Sequence, residues 1–356
     1  SVLHSTDDNL LLKLFARAIA APSQLPGLLA QVVKSAAEQK GVAVDASVAG
    51  VSVNPVAQQI AASLLSGTNG AIFLGNFAQQ HAQAATLHAL TQQLASITGA
   101  RFGYLGEAAN SVGAYIANAV PTGDGLNAAQ MLATPLKGYL LLHAEPELDC
   151  ANPQQAVASL KQAATVVVLS SFKSQAVLEY ADVLLPIAPF SETSGTFVNT
   201  EGRVQSFNAV VKPLGDTRPA WKVLRVLGNL LSLPGFEQNS SEDVRAEALK
   251  PESKSEFIAD RLNNQINGVA LKLATSSRGL ERIADIPIYF ADALVRRATS
   301  LQQTRDAAVP TARMNAATLA KLGVAAGQPV RVKQGAGEAL LTAKLDDALP
   351  DGCVRV

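Results

Sequence analysis

Short apolar runs, each followed by a helical stretch and then by another short apolar run, restrict what this chain can fold into more than any other feature of its 356 residues. Ala71-Ile-Phe-Leu74 ends at Gly75-Asn76, and His81 to Thr98 then carries a helical period stopped by Gly99. Arg101-Phe-Gly-Tyr-Leu105 is the next run. The pattern returns as Tyr139 to Leu142, a helix from Pro153 to Ala164, Thr165 to Leu169, a helix from Ser174 to Tyr180, and Val183 to Pro186. Strands apolar along their whole length are buried on both faces, and parallel neighbours need a crossover, usually helical. The predicted class is α/β, with a Rossmann-like doubly wound parallel sheet.

Four regions follow from where this grammar holds. Residues 1–55 read as the helical remnant of a preceding α/β domain. Leu11, Leu14, Phe15, Ala18 and Ile19, then Leu28, Leu29, Val32 and Val33, keep helical spacing on either side of a break at Pro22 to Gly27. Residues 56–235 read as the Rossmann-like domain, closed by a β-hairpin at 195–207 and a helix opened by Pro219. Residues 236–308 read as a mostly helical or irregular extension. Within it 237–256 is a polar surface excursion, and Glu281 to Leu301 is helical at least from Tyr289, with a basic pair at Arg296-Arg297. Residues 309–356 read as a truncated β module: a small helix over Met314 to Leu322, strands at Pro329 to Lys333 and Ala339 to Leu345, and a last strand reaching Val356. Both ends of the sequence read as cut, so the last strand is expected to leave an unpaired edge.

Charge and cysteine narrow the chemistry. With 29 Lys+Arg against 29 Asp+Glu, the chain lacks the cationic excess that releases counterions from a phosphate backbone, which argues against nucleic acid and anionic membrane surfaces as main partners. Its apolar runs fall short of the roughly 20 residues of a spanning helix, so no direct membrane insertion is expected and the chain reads as soluble. Cys150 and Cys353 are too far apart in sequence, with no C-x-x-C, to supply a cluster or a structural zinc site. His81 and His88 could share a helix face, but no carboxylate stands at ligand spacing, and solvated helix histidines are the expectation. No metal site is expected.

Four motifs carry possible chemistry. Gly75-Asn76 sits after a strand and before a helix, where an anion could meet free N–H groups, or it is an ordinary βα turn without the dinucleotide glycine fingerprint. The loop from Gly106 to Gly113 either admits a phosphate or pterin close to the backbone, or is a tight loop with a helix N-cap at Asn110 or Ser111. Glu145, Glu147 and Asp149 either bind a cation or form a solvated loop before a Pro-started helix. The densest cluster runs from Pro186 to Phe207 and brings Glu192, Thr193, Thr196, Asn199, Thr200, Glu201, Arg203 and Gln205 around two glycines. It either lines a cofactor groove or is a hydrogen-bonded hairpin locked by a Glu–Arg pair. A vestigial groove would use Gly75, Asn76, Gly106, Asn110, Thr193, Thr196, Asn199 and Arg203.

The stretch Glu192-Thr-Ser-Gly-Thr-Phe-Val-Asn-Thr-Glu-Gly-Arg-Val-Gln205, with Lys212-Pro-Leu-Gly-Asp-Thr-Arg-Pro-Ala-Trp221 and its continuation to Asn229, resembles the molybdopterin oxidoreductase superfamily. Supporting stretches are Gly103 to Tyr115, Glu145 to Pro153 and Tyr180 to Pro189. Within the superfamily the likeness is to the C-terminal region of the large iron–sulfur subunit of bacterial NADH:quinone oxidoreductase (complex I). That resemblance implies the molybdopterin oxidoreductase fold of the formate dehydrogenase and DMSO reductase type, with a truncated β-barrel-like, molybdopterin-dinucleotide-binding-like module at the end. It implies an oxidoreductase of the respiratory electron transport chain that passes electrons from NADH to quinone, coupled to proton translocation. Iron–sulfur clusters would belong to a region upstream of Ser1, with no cofactor and no catalytic residue in this stretch, which would act as a structural and docking scaffold, inactive when isolated. Implied partners are the flavin-containing NADH-oxidising subunit and neighbouring iron–sulfur subunits, on the cytoplasmic side of the bacterial inner membrane. The alternative is a catalytic fragment of a molybdenum-dependent formate dehydrogenase α-chain. A free-standing dinucleotide-binding enzyme is disfavoured by the absent glycine fingerprint.

Overall fold

The computed structural model describes residues 1–106, 108–249, 262–273, 279–284 and 286–356. Its strands in chain order are β1 (Val2–His4), β2 (Arg17–Ile19), β3 (Ala71–Leu74), β4 (Arg101–Tyr104), β5 (Gly138–Leu142), β6 (Thr165–Ser170), β7 (Val183–Pro186), β8 (Gly195–Val198), β9 (Val204–Phe207), β10 (Glu281–Ile283), β11 (Thr311–Met314), β12 (Pro329–Gln334), β13 (Gly337–Leu345) and β14 (Cys353–Arg355). The chain divides into two compact units, one of residues 1–107, 263–286 and 309–356, the other of residues 108–262 and 287–308.

In the first unit, β1 pairs parallel with β2 and β3 with β4. The body is helical. Helix Leu25–Lys40 buries Leu28, Leu29, Val32, Val33 and Ala36 against helices Pro55–Ser66 and Ala84–Thr98, whose Ile60, Leu87, Leu90 and Leu94 close the core. The ends of these helices are set by local chemistry. Asn54 accepts from the Ala57 N–H at 2.8 Å with Pro55 in the first turn, and Gly41 and Gly99 stop their helices at φ +67° and +74°, where only glycine is unstrained. Residues 11–19, expected as a helix, are not one. Ala16 and Ala18 alternate into the core with a period of two, Arg17–Ile19 gives its backbone to β1, and Leu11 and Phe15 stand exposed. His81 and His88 are not solvated: His81 Nε2 lies 2.9 Å from the Pro22 carbonyl, and His88 sits between the Asn264 carbonyl and the Tyr104 hydroxyl.

The same unit holds a five-stranded sheet in the order β10-β14-β11-β13-β12. The expected open edge at the last strand does not form. β14 lies inside the sheet, parallel to β10 and antiparallel to β11, because Glu281–Ile283, expected as the start of a helix, is a strand that covers it. Ser23 fixes β10, donating from N and Oγ to Glu281 at 2.8 and 2.6 Å. Asn315 fixes the other side: its Oδ1 caps helix Ala316–Leu322 while its Nδ2 donates to the Leu349 carbonyl and to Asp351. The two ends of the unit meet where Arg355 donates to Asp8 at 2.9 Å and the Asp7 N–H donates to the Ala348 carbonyl at 2.8 Å.

The second unit is built on the parallel sheet β5-β6-β7, covered by helix Pro153–Gln162 and packed through Tyr139, Leu160, Val166, Val168, Val177 and Tyr180. Helix Ser174 to Tyr180 shrinks to a 3-10 turn at Val177–Glu179, since the Ser174 hydroxyl takes the Val177 N–H and the short span leads straight into β7. β8 and β9 form the expected antiparallel hairpin, followed by helix Ala220–Leu230. The polar stretch 237–256 contains helix Ser241–Leu249, and its remainder from 250 lies outside the described residues. Residues 286–308 break into short turns, Ile288–Phe290, Ala293–Arg296 and Thr299–Gln302, because Arg296 and Gln302 side chains take backbone carbonyls that a continuous helix would need. No helix among the described residues is long and apolar enough to cross a membrane.

The interior place of β14 gives a direct expectation. In hydrogen exchange, amides of Cys353–Arg355 are protected like those of Thr311–Met314, and β12 at the sheet edge exchanges faster. The Cys353 thiol is fully buried and pushed up to about 11 by that burial, so it is expected to react with an alkylating reagent only on unfolding. Fast exchange at 353–355, or rapid labelling of Cys353 in the native protein, would contradict this pairing.

Candidate functional site

Open α/β sheets bind ligands outside the carboxyl ends of their strands, which makes the ends of β5 and β6 the place to look in the second unit. His143 follows β5 at φ +52°, a conformation costly for a non-glycine residue, and its N–H is held by the Leu169 carbonyl at 2.9 Å. His143 keeps an exposed surface, and the partial desolvation of its imidazole lowers its pKa from the ordinary value. Two residues on, the Glu145 N–H donates to Asp149 at 2.7 Å across the turn Pro146–Asp149.

The side chain of Glu145 is buried, and two arginines meet it. Arg296 Nη1 donates to Glu145 Oε2 at 2.9 Å and Arg296 Nη2 to Asp149 Oδ1 at 2.5 Å, while Arg297 donates to both oxygens of Glu145. Arg296 spends its remaining Nε–H on the Phe290 carbonyl, and the Arg297 guanidinium stacks 4.3 Å from the Phe172 ring centroid, just past β6. Asp292 sets the geometry by capping Ala293–Arg296, accepting from the Leu294 and Val295 N–H groups. Beside the cluster, the Tyr180 hydroxyl donates to Glu147 at 3.0 Å, and burial together with that carboxylate pushes the phenol well above its usual range.

The acidic stretch 145–149 is thus neither a solvated loop nor a cation site. Two carboxylates neutralise two guanidinia, and a basic pair that would otherwise attract phosphate at the sheet's carboxyl edge is already balanced. Sequence reasoning missed Arg296, Arg297 and Phe172 as parts of one cluster. Its only signals were an unexplained basic pair and an unexplained acidic run about 150 positions apart.

The eight groove residues are divided between the two units. Gly75 and Asn76 open the single-turn helix Asn76–Gln79 in the first unit, where the Gly75 carbonyl already accepts from Ala78 and Gln79, and Gly106 lies in the exposed loop after β4. The other five are in the second unit. Asn110 precedes helix Ser111–Ile116, but its Oδ1 turns to the Val198 N–H at 2.9 Å and pins the hairpin. Thr196 pairs with Ser206 across the hairpin at 3.0 Å. Asn199 closes the turn, accepting from the N–H groups of Glu201 and Arg203, with Gly202 at φ +82°. Asn199 thus locks the turn, and Glu192 accepts from the Leu214 N–H at 2.9 Å. Gly195 has a steric role, since a Cβ there would fall 2.6 Å from the Phe207 ring. Thr193 lines a separate cavity. Among the described residues no three His, Cys, Asp or Glu side chains are grouped to hold a metal ion.

Glu145 generates a prediction with a definite sign. Burial alone would raise its pKa, but the hydrogen bonds from Arg297 and Arg296 outweigh burial and hold the carboxyl below the ordinary glutamate range. A folded-state pKa below the unfolded one stabilises above the unfolded value and is lost as pH falls through the folded value. The parent is expected to lose stability on acidification through and below the ordinary carboxylate range more steeply than Glu145→Gln. Arg296→Ala should lower stability by about 2–3 kcal/mol near neutral pH, since it strips one partner from each of two carboxylates. Denaturant unfolding across pH checks both, and equal acid slopes for parent and Glu145→Gln would refute the coupling.

Residues 39–230, more than half of the chain, match the family model described as molybdopterin oxidoreductase, and residues 290–356 match that of the molybdopterin dinucleotide binding domain. A provisionally named formate dehydrogenase of Staphylococcus aureus strain MRSA252 is 46% identical over 63 residues, and one of strain USA300 is 47% identical over 60. Those stretches cover 18% and 17% of this chain and 6% of each relative. The acetylene hydratase of Pelobacter acetylenicus has the same fold, with a TM-score of 0.68 at 14% identity over 99% of this chain and 65% of that one. The α/β sheets with their helices, followed by the curled half-barrel of β10 to β14, are therefore the fold of that group. On the match over residues 39–230, this chain belongs to the molybdopterin oxidoreductase family.

Proposed function

We propose that this chain is the structural body of an oxidoreductase subunit, positioning redox partners rather than itself holding a pterin through the residues its sequence singles out. The observation that carries the reading is the closed carboxyl edge of the β5–β6 sheet, where Glu145 and Asp149 already neutralise Arg296 and Arg297. Asn110, Thr196 and Asn199 are likewise engaged within the protein. These groups do not fit a molybdopterin.

Two parent enzymes are compatible with that role. The names of the Staphylococcus aureus relatives favour a formate dehydrogenase, whose cofactor would then be held by residues other than these. The resemblance of Glu192 to Asn229 favours the large subunit of NADH:quinone oxidoreductase, and the closed edge accords with a subunit that keeps the fold without its cofactor. Under that second parent, the flavin-containing NADH-oxidising subunit and iron–sulfur subunits would be its neighbours at the cytoplasmic side of a bacterial inner membrane.

The full-length protein, produced in a host that makes molybdopterin, separates the parents. A formate dehydrogenase is expected to carry about one molybdenum per chain and to reduce a dye with formate. A complex I subunit is expected to carry iron without molybdenum and to co-purify with NADH-oxidising activity. Stoichiometric molybdenum whose retention depends on Asn110, Thr196 or Asn199 would overturn the scaffold reading itself.

A further inference from the structure

An asparagine followed by glycine can react with its own backbone, because glycine has no side chain to shield its nitrogen. The glycine nitrogen, once deprotonated, adds to the asparagine Cγ. The N–Cγ bond forms as the side-chain amide leaves as ammonia, and water then opens the succinimide ring to aspartate or isoaspartate. An aspartate followed by glycine closes the same ring with loss of water. Either route needs a glycine N–H without another acceptor and a backbone free to bring it to the side chain.

Four dipeptides of this chain have that residue order: Asn69-Gly70, Asp124-Gly125, Asn267-Gly268 and Asp351-Gly352. The Asp124 pair is held shut by the Gly125 N–H, which donates to the Thr122 carbonyl at 3.0 Å. At the Asp351 pair the Gly352 N–H donates to the Thr318 hydroxyl at 2.9 Å, while Asn315 Nδ2 takes Asp351 Oδ1 at 2.6 Å. Asn267 follows Ile266, whose N–H and carbonyl are both tied to Gln92 at 2.8 and 3.1 Å, and Gly268 sits at φ +71°.

Asn69 differs from all of these. Gly67, Thr68 and Asn69 lie exposed between helix Pro55–Ser66 and β3. Among the described residues neither Thr68 nor Asn69 makes a hydrogen bond, and the Gly70 N–H meets no acceptor. Constraint begins at the next group along the chain. The Gly70 carbonyl accepts from the Arg101 N–H at 2.9 Å, and β3 pairs with β4 from Ala71 opposite Arg101 to Leu74 opposite Tyr104. The chain before Gly70 is therefore free to swing its side chain onto the nitrogen while β3 stays in place.

We infer that Asn69 is a self-modification site, converted through a succinimide to aspartate and isoaspartate. Both products add a carboxylate. Isoaspartate also inserts its Cβ into the main chain directly ahead of β3, which displaces the Gly70 carbonyl from Arg101. Because β3 and β4 form a sheet of only two strands, no further strand holds the register, and the displacement is transmitted to the buried Leu74. The site stands independently of which parent enzyme the chain belongs to.

The full chain is incubated under mildly alkaline conditions well below its melting temperature, and in parallel in denaturant. Both samples are mapped by proteolysis and mass spectrometry, with aspartyl and isoaspartyl peptides separated by chromatography. Asn69 of the native chain is expected to convert at a rate within about tenfold of the denatured chain, whereas isomerisation of Asp351 slows by well over about tenfold on folding. The aged parent should melt at a lower temperature than the fresh one. Asn69→Gln, at an exposed position, closes its larger ring far more slowly, so it should start at the parent melting temperature and keep it. Asn69 intact in the native chain after the denatured chain has reacted would overturn the site. So would conversion at Asn267 ahead of Asn69, or an Asn69→Gln chain that loses melting temperature on ageing as fast as the parent.

Discussion

Removing a carboxylate from water costs several kcal/mol unless charged donors meet it in good geometry. Glu145 meets that demand with two guanidinia, and the consequences reach through the second unit. Its partners come from residues 287–308, so the pairing fastens a segment distant in sequence to the carboxyl end of β5. Arg297 in turn covers Phe172 past β6, and Arg296 orders the turn at Phe290 through its Nε. The interaction that stabilises this edge is the same one that removes its free positive charge, so structure and chemistry at the edge cannot be varied independently.

The first unit rests on a different device, the sewing together of distant strands by small polar groups. Ser23 holds β10, β10 covers β14, and Asn315 ties the start of a helix to the loop preceding β14. None of these contacts is strong by itself, but each gives a backbone or carboxylate group a hydrogen-bond partner.

Much of the fold was legible because its signals are local. The parallel strands from Ala71 to Pro186, the hairpin at 195–207 and the helix opened by Pro219 follow from periodicity and turn chemistry within a few residues. What failed was non-local. Leu11 to Ile19 keeps helical spacing, yet pairing with β1 wins and leaves Leu11 and Phe15 in solvent. Glu281–Ile283 looks like a helix start until its partner, some 70 residues later, claims it. At the site, the residue types were visible but their partners were not. Nothing within reach of Glu145 along the sequence announces Arg296, and Asn110 reads as an ordinary cap until Val198 approaches it.

The discontinuity of the first unit bears on how the protein is made. A ribosome delivers residues in sequence order, and all of the second unit, ending at residue 308, emerges before β11 to β14 exist. Val2–His4 and its neighbours, although synthesised earlier, wait for Ala348 and Arg355 to complete their contacts. Loop closure over such a span is entropically slow, and unfinished strand edges are prone to mispair in the interval. The second unit, with its charge cluster already formed, is thus the part that can fold during synthesis, while the first unit's C-terminal sheet and the bonds that tie it to residues 1–8 are completed only after it.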